Sequence, residues 1–136
     1  MAKVLVLPNT LALPPVKFRA KTEGRYGKRR VAGRMNVTES EYADLLEKRR
    51  IAGEVRAWWF EPMSIRLGDG CHFCPDFLVL LADLSLECVD TKGAGPLDAK
   101  GQVKLKVAAE LMWPFKFVQE KRRKKKDGGG WIRREF

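Results

Sequence analysis

The sequence predicts one α/β domain, a mixed sheet flanked by helices. Three observations support it. The chain has 136 residues, enough for one hydrophobic core and too few for two. Hydrophobic residues make up 45%, which excludes disorder throughout. The apolar pattern starts at helical spacing, passes into short strand-like runs, returns to helical spacing and ends in another strand-like run. That gives the order helix, three or four strands, helix, strand.

Residues 1–35 read as an arm. Proline comes first, then basic residues with Gly24, Gly27 and Gly33, and no periodicity is sustained. The domain then covers 36–136, closing with a basic C-terminal segment. "NVTESEYADLLEKRRIAGE" predicts the first helix. Thr38 is the expected cap, and Glu39 and Glu41 sit in the positive first turn. Tyr42, Leu45 and Leu46 form its apolar stripe, and Gly53 stops it. "EVRAWWFEP" is rich in strand formers up to Pro62. "SIRLGDGCHF" predicts a hairpin around Gly68-Asp69-Gly70. "DFLVLLADLSLECVDTKG" predicts two more strands joined near Asp83–Ser85, apolar enough for burial on both faces. A second helix is expected from about Leu97 to Met112, with Val103, Val107, Ala108 and Leu111 inward and Gly101 weakening its first turn. "FKFV" is a short strand with which "WIRREF" can pair through the "GGG" turn.

Charge is unevenly placed. The formal net charge is +10. Residues 17–34 hold eight Lys/Arg against one Glu, and residues 116–136 hold nine against three acids. The stretch 35–115 holds nine basic and thirteen acidic residues. Two basic segments flanking an acidic body point to a polyanionic partner, above all nucleic acid; the alternative is a solubilising run at "KRRKKK". No apolar run approaches the ~20 residues of a membrane span, and the opening "MAKVLVLPNTLALPP" lacks the marks of a signal peptide. Three cysteines form no disulfide framework and suit a reducing, cytoplasmic setting.

The greasy strand pair 77–92 is bracketed by charge. With its turn centred near Leu84, Asp76 falls opposite the end that carries Asp90 and Lys92. Residues 90 and 92 share a strand face, so two carboxylates and an ammonium meet at one spot. Neighbouring carboxylates repel unless a cation joins them, and oxygen ligands of this kind suit Mg²⁺, with Mn²⁺ as a substitute. The other reading is a strand-end cluster in which Lys92 neutralises Asp90.

Pro75-Asp76, followed after thirteen residues by Asp90-Thr91-Lys92, resembles the PD-(D/E)xK signature of a large nuclease superfamily. The pieces "MNVTESEYADLL", "PDFLVLLADLSLE", "KGAGPLDAKGQVKLKVAAEL" and "GGGW" resemble small nucleases encoded by phages and prophages. The resemblance covers roughly residues 35–135 and implies a restriction-endonuclease-like core of order α-β-β-β-α-β. It also implies a metal-dependent DNA endonuclease acting in the host cytoplasm. Asp76 and Asp90 would be metal ligands with the Thr91 carbonyl beside them, and Lys92 the catalytic lysine. A glutamate of the first helix would join them, Glu39 by preference and Glu41 as competitor. Lys104, then Lys100 and Lys106, would face phosphates, as would Arg29, Arg30, Arg122, Arg123, Lys124 and Lys125 of the basic segments. Similar small enzymes include Holliday-junction resolvases, which implies branched or duplex DNA as substrate and a possible homodimer, with no membrane and no small-molecule cofactor. The rival reading is a non-catalytic, architectural nucleic-acid-binding protein.

Other features give weaker signals. Cys71-His72-Phe73-Cys74 with Cys88 nominally supplies zinc ligands, but neighbours on a strand diverge, so buried cysteines are the better reading. Trp58, Trp59 and Phe60 are expected in the core rather than on a base-stacking surface. No phosphate-binding GxxxxGK[ST] loop or dinucleotide GxGxxG is present.

Overall fold

The computed structural model describes residues 33–136, so most of the expected N-terminal arm, including Arg29 and Arg30, lies outside the described residues. The first helix, α1, spans Val37–Ile51. Its cap is Asn36 rather than Thr38. Asn36 Oδ1 accepts from Glu39 N at 2.8 Å, and Glu39 Oε2 accepts from Asn36 N at 2.9 Å. This reciprocal capping box satisfies two donors at once, whereas a cap at Thr38 would leave Glu39 outside any such pair. Lys48, Arg49 and Arg50 occupy the last turn, and Gly53 follows with φ +84°, a conformation that favours glycine.

Five strands form the main sheet: β1 (Val55–Phe60), β4 (Phe77–Leu81), β5 (Leu86–Lys92), β6 (Lys116–Arg122) and β7 (Trp131–Glu135), in that spatial order. Among the described strands only the β5–β6 pairing is parallel, because α2 (Ala99–Leu111) makes the crossover between them. The others are antiparallel, so the sheet is mixed. A separate hairpin, β2 (Ile65–Gly68) with β3 (Cys71–Phe73), interrupts the path from β1 to β4. With that hairpin set aside, the chain order is α-β-β-β-α-β followed by β7.

Each face of the sheet has its own core. On one, Tyr42, Ala43 and Leu46 of α1 pack on Val55, Phe77, Val79 and Val89. On the other, Leu105 and Ala108 of α2 pack on Ile65, Phe73, Cys88 and Phe117. Neighbours along β5 alternate between these cores, so that strand is buried on both faces, as its composition predicts. The inward stripe of α2 differs from expectation. Ala108 is buried, but Val103, Val107 and Leu111 are exposed, and Leu105, Ala109 and Met112 complete the packed face. Residues 105, 108, 109 and 112 follow the i, i+3, i+4, i+7 rule, and the two alanines let the helix approach closely. Gly101 lies inside the first turn, its N–H bonded to the side chain of the cap residue Asp98.

On β1, Trp58 and Phe60 pack against the α1-side core, and Trp58 Nε1 donates to Glu47 Oε1 at 2.7 Å. Cys88 is buried, with its thiol pushed up to about 12 by burial, while Cys71 and Cys74 are free and partly exposed. Among the described residues no helix is long and apolar enough to cross a membrane.

Candidate active site

The expected meeting of charges forms at one end of the β4–β5 pair. Phe77 is the register partner of Val89, so Asp76, one residue before β4, faces the Asp90 level of β5. The chain bends at Asp76, whose carbonyl accepts from Glu61 N at 2.7 Å, tying the residue to the end of the edge strand. Its carboxylate Oδ2 accepts from both Thr91 N (2.8 Å) and Thr91 Oγ1 (2.9 Å). Asp76, Asp90 and Thr91 are all buried. Thr91 therefore orients Asp76 with its own side chain and amide, a contact not visible in its expected role as a carbonyl donor.

Asp90 is fixed from two sides. Lys92 Nζ donates to Oδ1 and Gln119 Nε2 to Oδ2, both at 3.1 Å. Gln119 comes from β6, register partner of Asp90 across the parallel pairing, and is almost wholly buried. Sequence reasoning missed it. Its only signal is an amide amid the apolar "FKFVQ", and the crossover hides its neighbour.

Glu39 reaches the same corner from α1. The helix N-terminus sits over the end of β5: a Cβ on Gly93 would meet Thr38 Oγ1 at 3.8 Å. Glu39 is buried, completes the capping box, and its charge acts on Asp76. Glu41, the competitor, points elsewhere and pairs with Arg122. That ion pair also turns Arg122 to the α1 side, away from Asp90 and Lys92.

The electrostatics follow from this crowding. Burial, then the Asp90 charge, raise the Asp76 carboxyl from 3.8 to about 6; the two Thr91 bonds oppose the rise and Glu39 adds to it. A buried carboxyl beside two other carboxylates is costly to ionise, and a hard cation relieves that cost. Oxygen donors such as Asp76, Asp90, Glu39 and the Thr91 backbone are the chemical type Mg²⁺ or Mn²⁺ takes, so the donor chemistry, and not the spacing, suits such an ion. Among the described residues no group of three or more His, Cys, Asp or Glu already stands at metal-holding spacing, so the cysteines form no zinc cluster and Glu39 is not yet grouped with the two aspartates.

The remaining expected contacts are scattered. Lys100, Lys104 and Lys106 lie on α2, which packs on β2, β3 and β6, and among the described residues none pairs with Asp76 or Asp90. Arg123, Lys124 and Lys125 are exposed in the β6–β7 connection. A second polar cluster escaped sequence reasoning. Arg133 of β7 bonds the buried Glu87 and, at 3.3 Å, the buried Glu120. Burial raises the Glu120 carboxyl, an effect that Arg133 opposes. No protein-family model, curated protein or solved structure matches the chain.

Proposed function

We propose that the protein is a metal-dependent DNA endonuclease with a restriction-endonuclease-like core, cutting phosphodiester bonds in branched DNA such as four-way junctions. One observation carries the reading: two buried aspartates from adjacent strands, one raised to about 6, with a lysine bonded to one of them at the same strand end. A buried, perturbed carboxylate beside a specific charge partner is a candidate functional group. The α-β-β-β-α-β order, once the β2–β3 hairpin is set aside, supports the core assignment.

Asp76, Asp90 and Glu39, with the Thr91 carbonyl, would hold Mg²⁺ or Mn²⁺. When bound, the ion supplies Lewis acidity towards the phosphate and neutralises the crowded carboxylates. The chain's own contributions are positional. Thr91 and Gln119 hold the two aspartates in fixed orientations. Lys92, a third exposed, offers its ammonium to a phosphate oxygen or to the attacking water, stabilising charge that develops during displacement. The capping box of α1 keeps Glu39 at the corner. The basic segments supply salt-sensitive, sequence-independent affinity.

The test is cleavage of a synthetic four-way junction and a matched linear duplex by purified protein in Mg²⁺, Mn²⁺ or EDTA. Cutting that needs the ion and disappears in Lys92→Ala and Asp76→Asn is expected, with the junction preferred. Tight binding that ignores the ion and leaves every substrate intact would instead identify an architectural DNA-binding protein.

A further inference from the structure

Where β6 pairs with β7, at 118–122 and 131–135, stand four cations, Lys121, Arg122, Arg133 and Arg134, and the two faces of the sheet use them differently. On the α1 side, Arg122 pairs with Glu41, and Arg133 with Glu87, Glu120 and Glu135. These charges are engaged within the fold. On the α2 side stand Lys121 and Arg134. Among the described residues neither is in an ion pair, and Arg134 rests on the Phe136 ring at 4.8 Å. The register places them in two rows that run from the candidate site. Asp90, Gln119 and Arg134 are successive partners across β5, β6 and β7, and so are Lys92, Lys121 and Ile132. Partners share a face, as the Gln119–Asp90 bond confirms. Adjacent strands are ~4.8 Å apart, so Lys121 lies one strand and Arg134 two strands from the Asp90–Lys92 corner, about 5 and 10 Å away.

This face opens towards β7: Asp90 and Gln119 are buried, Lys92 is a third exposed, Lys121 is partly exposed and Arg134 is exposed. Helix α2 packs on β2, β3 and β6, at the Phe117 row, and makes no packing contact of note with β7. Arg134 and Ile132 are exposed, Ile132 to 47%. Beyond the two rows the chain enters the exposed basic turn Arg123, Lys124, Lys125 and Lys126. Two cations beside Lys92, on one sheet face and in no ion pair among the described residues, give that face a positive potential that attracts an anion.

We infer that Lys121 and Arg134 form a phosphate track: they bind the sugar–phosphate backbone of the DNA strand as it runs from the Asp76–Asp90–Lys92 corner over β6 and β7 towards the basic turn. The inference rests on the nucleic-acid reading above and names which surface holds the strand. It excludes Arg122, adjacent in sequence but on the opposite face. Lysine meets a phosphate as a point charge and arginine as a planar fork, and exposed Ile132 offers an apolar contact for a sugar between them.

The test is fluorescence anisotropy of a labelled DNA duplex and four-way junction in EDTA, from about 50 to 200 mM salt. Lys121→Ala, Arg134→Ala and their double variant are compared with Lys48→Ala, which removes an exposed cation from α1. Each track variant should bind roughly three- to tenfold more weakly and lower the slope of log K against log salt by about one, the double by about two. Lys48→Ala should match the wild type. Track variants indistinguishable from Lys48→Ala, in a protein whose wild type cuts DNA, would overturn the track alone. A wild type that never cuts but loses affinity selectively at 121 and 134 would leave the track standing and remove the nuclease. No binding by the wild type overturns both.

Discussion

Removing a charge from the candidate site should stabilise the fold. In the metal-free protein the Asp76 carboxyl is raised from 3.8 to about 6, chiefly by burial and then by Asp90. A folded state that holds this proton more tightly than the unfolded chain is favoured at low pH. That advantage disappears as pH rises through about 6, and above it the buried carboxylate weighs on the fold in full. At ~1.4 kcal/mol per pH unit, the interval is worth about 3 kcal/mol at pH 7.5. Asn in place of Asp76 keeps the acceptor that Thr91 N and Oγ1 use and loses the charge. Burying its amide offsets part of the gain, so Asp76→Asn should be about 1–3 kcal/mol more stable than wild type at pH 7.5. Urea unfolding in EDTA at pH 5 and pH 7.5 measures this. The advantage should fall by roughly half at pH 5, where the folded Asp76 is mostly protonated but the unfolded carboxyl, near 3.8, is still ionised. Saturating Mg²⁺ should stabilise the wild type and close the gap at pH 7.5, because a ligand of the folded state adds its binding energy to stability. A variant less stable than wild type at pH 7.5, or a difference that ignores pH, would refute the account of strain at this corner.

Three other perturbations test the frame around the site. Arg133→Ala strands Glu87 and Glu120 as buried charges and should cost about 2–4 kcal/mol in urea unfolding. Adding Glu87→Gln and Glu120→Gln to that variant should recover most of the loss, since the cost comes from uncompensated charge. Leu84→Gly should raise stability by about 1 kcal/mol, because Leu84 is 60% exposed yet holds φ +69° in the β4–β5 turn. An unchanged or lowered urea midpoint would show that the turn carries no such strain. Asn36→Ala removes half of the capping box and should lower stability by about 1 kcal/mol; Asn36→Asp, which keeps an acceptor for Glu39 N, should restore it in thermal unfolding.

Features set by local chemistry were legible in the sequence. The β4–β5 turn could be placed at Asp83–Ser85 because Asp83 bonds its own turn, Oδ1 accepting from Ser85 N at 2.9 Å and from Ser85 Oγ at 2.6 Å. Counting outward from Leu84 brings Asp76 to the Asp90–Lys92 end without tertiary knowledge, at the level of Lys92; the Leu80–Leu86 pairing centres the hairpin on Asp83 instead and puts Asp76 at Asp90. The caps Asn36 and Thr38 each have a glutamate three residues on, Glu39 and Glu41, so the sequence offers two capping boxes; Glu41 is taken by Arg122 and the Asn36–Glu39 box forms. The face of α2 was misread because Val103, Val107 and Leu111 form an apolar row as regular as the one that packs. Local periodicity contains no information about which row the β2–β3 hairpin will accept.

What lay beyond the sequence is whatever arrives across the crossover. Gln119 belongs to a strand that reaches Asp90 only after α2 has carried the chain over the sheet, so its partner is 29 residues away. The cations of β6 and β7 make the same point more sharply. Lys121 and Arg122 are neighbours with similar charge, as are Arg133 and Arg134, and composition treats all four alike. The pleat sends each pair to opposite faces, and the β6–β7 register decides which member meets Glu41, Glu87 and Glu120 and which stands in the rows of Asp90 and Lys92. A slip of β7 by one residue would move Arg133 to the α2 face and set either Ile132 or Arg134 opposite Glu120. The buried glutamates therefore do more than balance a charge. By requiring Arg133 on their side, they favour the β7 register that leaves Arg134 on the face that Lys121 already occupies.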